Sequence, residues 1–255
     1  AAVKAENPLD SAGNYVEMPI WEYGVEYAKE SSLQFGWLSE SEKEIERKKG
    51  MLSEEASTYL LDWVVAGEHP NLALLAEFGM GKSTILRRVE YLLAKQFIQG
   101  GAILPVRLNL GYRRESTTSQ TPFLGRIQEF LQDNYQIEFS ISDLSRYLQE
   151  GNILLLLDSF DEMSLVVGAG TQIANLQFIM NSVSRFGKIK VIIASRDNYF
   201  FSGSDIADAF RSLDPFFPKH VFDIAYLRGF RTKEIELYLA RCLGEKSTEF
   251  WEHIR

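Results

Sequence analysis

Two glycines, a lysine and two hydroxyl residues stand together in the stretch Ala76-Glu77-Phe78-Gly79-Met80-Gly81-Lys82-Ser83-Thr84. Residues of these types at this spacing can hold a phosphate chain. Glycines let successive backbone N–H groups turn inward around an anion. A helix that starts at the lysine adds unpaired donors and a partial positive charge. Lys82 would sit on β- and γ-phosphates, Ser83 would ligate Mg²⁺, and Thr84 would donate to an α-phosphate.

The stretch matches the Walker A pattern except that Ala76 replaces the first glycine. Alanine is the next smallest residue and serves there provided its φ is negative. A second stretch, "ILLLLDSFDEM", is an apolar run that ends in an acid, the Walker B arrangement. Asp158 would hold Mg²⁺ opposite Ser83. Asp161 and Glu162 follow, and a carboxylate there can polarise an attacking water. Glu162 is the first choice as base and Asp161 the second. A third stretch, "KVIIASR", ends in Arg196, an arginine suited to reaching a γ-phosphate or stabilising charge in transfer. A GTPase would carry glycine where Asp161 stands, and the guanine-reading NKxD motif is absent. Both facts favour ATP.

These residues need an edge on which strand ends converge. "NLALLAEF", "AILPVRLNL", "NILLLLD", "KVIIASR" and "HVFDIAYL" read as five strands. "NILLLLD" is so nearly continuous in its apolar residues that it predicts burial on both faces. Between the strands, "KSTILRRVEYLLAKQFIQ", "FLGRIQEFLQDN", "SDLSRYLQE" and "TQIANLQFIMNSVSRFG" carry helical periodicity. "TKEIELYLARCLG" and "STEFWEHIR" are further helices, and "SEEASTYLLDWVVAG" predicts a helix capped by Ser53 with Glu54 and Glu55 in its first turn. Strands alternating with helices predict an α/β fold, a parallel sheet covered on both faces. Residues 1 to 50 show little periodicity; Tyr15, Val16, Met18, Ile20, Trp21 and Tyr23 are apolar enough to dock.

The chain has 255 residues, 45% hydrophobic and 24% charged, which suits a packed core. A net charge of −8 argues against gripping nucleic acid or anionic membrane by bulk electrostatics. Cys242 is the single cysteine, so a reducing compartment, the cytoplasm, is expected. His69, His220 and His253 have no metal-ligand spacing. No apolar run reaches membrane-spanning length. There is no initiator Met and the chain stops within a helical pattern, so a piece of a longer protein is expected.

Taken in order, "AEFGMGKST", "PVRLNL", "ILLLLDSFDEM", "IIASR" and "YLRGFRTKEIELYL" resemble a NACHT nucleotide-binding domain. That family belongs to the STAND class of P-loop ATPases, which includes animal NLR immune receptors and many bacterial defence proteins. "EASTYLLDWVV" and "EFGMGKST" are in the style of the bacterial branch. The resemblance implies a three-layer α/β P-loop NTPase with a five-stranded, mainly parallel sheet, followed by the start of a small helical domain. It implies an N-terminal linker or docking segment over 1–50, a nucleotide-binding domain over 51–226, and a truncated helical domain over 227–255. It further implies a switch that binds ATP or ADP with Mg²⁺, hydrolyses ATP slowly, self-associates in the ATP state and acts through effector and sensor domains outside this chain. The carried-over residues are Gly79, Gly81, Lys82, Ser83 and Thr84 on phosphate, Ser83 and Asp158 on Mg²⁺, Glu162 with Asp161 on water, and Arg196 as sensor. Ser159 stands where the family often has glycine. The family's ADP-contacting proline motif and winged-helix histidine have no counterpart before Arg255, and Pro215 and Pro218 come too early. Two other readings stay open. One is a small-molecule kinase, for which Arg113 and Arg114 would be the lid. The other is a scaffold that binds nucleotide without hydrolysis, which the paired acids weigh against.

Overall fold

The computed structural model describes residues 15–23, 51–53, 55–66, 71–111, 123–136, 138, 140–150, 153–162, 172–183, 186, 189–196, 222–230 and 232–243. In chain order the elements are β1 (Ile20–Tyr23), β2 (Met51–Ser53), α1 (Ala56–Ala66), β3 (Asn71–Ala76), α2 (Lys82–Ile98) and β4 (Leu104–Asn109). There follow α3 (Phe123–Tyr135), α4 (Ile141–Gln149), β5 (Ile153–Asp158), α5 (Gln172–Val183), β6 (Lys190–Arg196), β7 (Phe222–Leu227) and α6 (Thr232–Leu243).

The apolar runs become the centre of the sheet. Every residue of β3 and β5 is buried, as is the interior of β6. The described strands form one sheet in the order β2-β1-β7-β3-β6-β5-β4. β7, β3, β6, β5 and β4 are mutually parallel, giving the expected five-stranded parallel core of an α/β fold. Alternation along each strand divides the packing. Ala73, Leu75, Leu155, Leu157, Val191 and Ile193 face α3, α4 and α5. Leu72, Leu74, Leu154, Leu156, Ile192 and Ala194 face α1 and α2. Two helical layers therefore enclose the sheet, and each wholly buried Leu or Ile contributes roughly 1.5–3 kcal/mol relative to exposure.

The sheet is wider than its parallel core. β1 pairs antiparallel with β7, placing Ile20 beside Leu227 and Tyr23 beside Ile224, and β2 pairs antiparallel with β1. Ile-Trp-Glu-Tyr does not alternate apolar with polar residues, so β1 gives no strand signal in sequence. Ser53 is not the cap of α1, because it belongs to β2 and pairs with Ile20. The helix begins at Ala56, and the Glu55 carbonyl accepts the Tyr59 N–H at 3.1 Å. The expected helix in "STEFWEHIR" lies outside the described residues, as do Arg113, Arg114, Pro215, Pro218 and all three histidines. No helix among the described residues is long and apolar enough to cross a membrane.

Candidate active site

The parallel register brings the singled-out residues to one edge. Ala76 at the end of β3 is level with Arg196 at the end of β6, and Asp158 at the end of β5 is level with Asn109 on β4. In open α/β sheets ligands collect beyond the carboxyl ends of strands. The loop from Glu77 to Gly81 then turns into α2, with Gly79 at φ 78° and Gly81 at φ 83°. These left-handed values favour glycine. Ala76 is not among the described residues of positive φ, so replacing the first glycine costs nothing here. Lys82 Nζ donates to the carbonyls of Ala76 at 2.7 Å and Glu77 at 2.9 Å, holding the ammonium over the mouth of the loop.

Ser83 Oγ donates to Asp158 Oδ1 at 3.0 Å, and the Ser159 N–H donates to the same oxygen at 2.9 Å. A hydroxyl and a carboxylate brought together in this way form a donor pair suited to Mg²⁺, which takes few protein ligands beside water and phosphate oxygens. Among the described residues there is no cluster of three or more His, Cys, Asp or Glu fit for an all-protein metal cage. Asp158 is buried, and Arg107 Nη1 approaches its other oxygen at 3.7 Å while Arg107 Nε pairs with Glu90 at 2.8 Å. One guanidinium, Arg107, thus faces two carboxylates at this end.

Asp161 and Glu162 occupy a short 3₁₀ turn, Phe160–Glu162, anchored by the buried Phe160. The two acids differ sharply. Asp161 has a side chain only 7% exposed, lies 2.7 Å from Arg196 Nε, and accepts the Arg196 N–H at 3.3 Å. Glu162 is 55% exposed and lies 3.9 Å from Arg196 Nη2. A Cβ at Gly111 would stand 2.5 Å from Glu162 Oε2, so the bare glycine makes room for that carboxylate. Ser159, before the turn, has φ 58°. A left-handed conformation in a non-glycine residue costs about 1–2 kcal/mol, which is a physical reason for glycine at this position. The Arg196 guanidinium also lies 4.8 Å over the Phe78 ring, linking the acid pair to the tip of the phosphate loop.

The architecture is similar to that of a Walker-type ATPase of Pyrococcus abyssi, at 14% identity and a TM-score of 0.50, over 81% of this chain and 63% of that one. The likeness is one of fold, a five-stranded parallel sheet with helices on both faces. This chain therefore spans less than two thirds of that archaeal protein. Cdc6p from Pyrobaculum aerophilum also matches, at 15% identity and a TM-score of 0.41, over 87% of this chain and 53% of that one. The E. coli MS115-1 HORMA:CdnC:Trip13 complex matches at 16% identity and a TM-score of 0.41, over 91% of this chain and 72% of that one. No protein-family model matches the sequence, and no curated protein does.

Beside the P-loop lies a cavity of about 340 Å³, within the range of small-ligand sites. Met18, Met80, Phe230 and Tyr238 give it thioether and aromatic walls, and Gly81 and Thr84 join it to the P-loop. Met18 packs closely on the loop, its sulfur 2.8 Å from where a Gly81 Cβ would be. Tyr15 and Val16 complete the upstream wall. Burial pushes the Tyr15 phenol far above its ordinary 10.0, the Glu17 carboxylate adding to the effect. The docking of Tyr15, Val16 and Met18 was legible in their apolar character. The contributions of Arg228, Gly229, Phe230 and Tyr238 were not, nor were those of Arg107 and Phe78. "YLRGF" marks the end of a strand, and nothing in it signals a cavity.

Proposed function

We propose that the chain binds ATP with Mg²⁺ at this edge and hydrolyses it slowly, as the nucleotide-dependent switch of a NACHT-type signalling protein. The meeting of Ser83 and Asp158 at 3.0 Å, from motifs 75 residues apart, is the observation that carries the reading. The P-loop amides and Lys82 bind the phosphates, and the cavity beside Gly81 takes the adenosine end. Ser83 and Asp158 hold Mg²⁺, whose charge offsets that of the phosphate oxygens. Glu162, exposed and beside Arg196, takes a proton from the attacking water. Asp161 orients Arg196, which meets the γ-phosphate and distinguishes ATP from ADP. The acids beside the arginine weigh against a scaffold that never hydrolyses.

In this reading residues 51–226 form the nucleotide-binding domain and α6 opens a small helical domain. The ATP form self-associates and engages effector and sensor domains outside this chain, in cytoplasmic defence or signal transduction. Titration with a fluorescent ATP analogue tests the core of it. Wild type should bind ATP in preference to GTP, and Lys82→Ala should weaken binding at least about a hundredfold, the scale of losing a desolvated charge pair. Unchanged ATP affinity in Lys82→Ala would remove the assignment.

A further inference from the structure

Glu17 is tied to none of the motifs, yet both of its carboxylate oxygens are engaged. Oε1 accepts the Ser57 hydroxyl at 2.5 Å. Oε2 accepts the Tyr15 hydroxyl at 3.1 Å and the Ser57 N–H at 3.3 Å. Ser57 lies in the first turn of α1, which has no acid of its own in that turn. Glu17 thus supplies, from 40 residues upstream, the acceptor and the negative charge that a helix start favours. The neighbouring Met18 carbonyl accepts the Ala56 N–H at 2.8 Å, so two adjacent residues are stitched to one helix end.

The other sides of the segment are held as well. The Arg88 guanidinium of α2 lies 4.8 Å over the Tyr15 ring. Arg241 of α6 donates to the Tyr15 carbonyl, and the Arg228 N–H donates to the Pro19 carbonyl at 3.0 Å. Between these anchors sit Tyr15, Val16 and Met18, the residues that wall the cavity. Through its side chain Glu17 binds the Tyr15 hydroxyl while holding Ser57 beside the Met18 stitch.

We infer that Glu17 is a positioning residue for the base end of the nucleotide site, fastening segment 15–18 to α1 so that the protein favours a nucleotide over bare polyphosphate. The inference rests on the nucleotide reading above and adds the residue that sets its selectivity. A carboxylate suits the task because it accepts from three donors at once and competes with none.

Calorimetric titrations with ATP and with tripolyphosphate, each with Mg²⁺, test it. Glu17→Ala should weaken ATP about tenfold while tripolyphosphate stays within about twofold, because the phosphate loop keeps its own anchors. Glu17→Gln, which retains an accepting oxygen, should recover most of the ATP affinity. Ser57→Ala deletes the shortest contact and should move the ATP-to-tripolyphosphate ratio the same way by about threefold, which covers the case in which Glu17→Ala does not fold. A ratio unchanged in both Ser57→Ala and any folded Glu17→Ala, whether affinities hold or fall together, would overturn the inference and leave the nucleotide reading intact. Wild type that bound neither ligand would overturn both.

Discussion

Two acids one residue apart are candidates for activating water, and their surroundings make them separable by experiment. Glu162→Gln keeps the side chain's shape and removes its basicity. Its side chain is 55% exposed and its cation lies 3.9 Å away, so the substitution should change stability by no more than about 0.5 kcal/mol. A positioned general base contributes roughly 10²–10⁴ in rate, so single-turnover phosphate release should fall at least about a hundredfold with ATP still bound. Asp161→Asn should behave differently. Asp161 is 7% exposed and sits 2.7 Å from Arg196 Nε, so neutralising it removes a well-formed pair. Breaking a fully buried pair costs about 3–5 kcal/mol, but Arg196 is itself 36% exposed and solvent screens the loss. A cost of about 1–2 kcal/mol follows, which for a protein of this size lowers the melting temperature by roughly 3–6 °C. Turnover in Asp161→Asn should fall only about tenfold, through a misplaced Arg196. Quenched-flow phosphate release, ATP affinity and thermal melts on both variants give the full comparison. If Asp161→Asn stopped hydrolysis while binding ATP, and Glu162→Gln turned over within twofold of wild type, the two roles would have to be exchanged.

Gly81→Ala places a methyl at φ 83° and 2.8 Å from the Met18 sulfur, so both the phosphate loop and the base wall must shift. The left-handed alanine alone costs about 1–2 kcal/mol, so ATP affinity should fall at least about tenfold by titration; wild-type affinity would show that the loop adapts freely. The Tyr15 phenol gives a pH signature. In the unfolded chain it ionises near 10.0, whereas in the fold burial and Glu17 hold it protonated well above that. Above pH 10 the unfolded state therefore binds fewer protons than the folded one, and stability falls as pH rises. Urea midpoints between pH 9 and about 11.5 should decline more steeply in wild type than in Tyr15→Phe, and equal slopes would remove the assignment.

Local signals carried the phosphate end of the site. Six buried residues in a row at Ile153–Asp158, the glycines flanking Met80 and the helical period after Lys82 are each visible within about a dozen residues of sequence. The parallel frame followed from their alternation. Long-range partners were not visible. Ile20–Tyr23 is a strand because Met51–Ser53 and, some two hundred residues later, Phe222–Leu227 offer it edges. Ser53 looked like a cap because serine before two glutamates favours that reading locally. Pairing with Ile20 took Ser53 instead, and the helix start found its acceptor in Glu17. Arg107 reaches Asp158 from the neighbouring strand β4, whose register sets Arg107 level with Leu156 and Asn109 level with Asp158.

This division has a mechanical consequence. The P-loop end of the candidate site is fixed by its backbone: turns at Gly79 and Gly81, Lys82 on the carbonyls of its own loop, and strand ends locked in a parallel ladder. The cavity proposed for the base is assembled from segments 15–18, 79–84, 228–230 and Tyr238, joined mainly through side chains and single carbonyls. A side-chain tether contributes about 1 kcal/mol net, so each can be lost without unfolding the sheet. Tyr15 is held from α1 through Glu17, from α2 through Arg88 and from α6 through Arg241. A displacement of α6 would therefore reach the base wall through Tyr15 while leaving the Ser83–Asp158 contact in place. Under the proposed nucleotide reading, a displacement of α6 should therefore change nucleotide affinity before it changes the rate of hydrolysis.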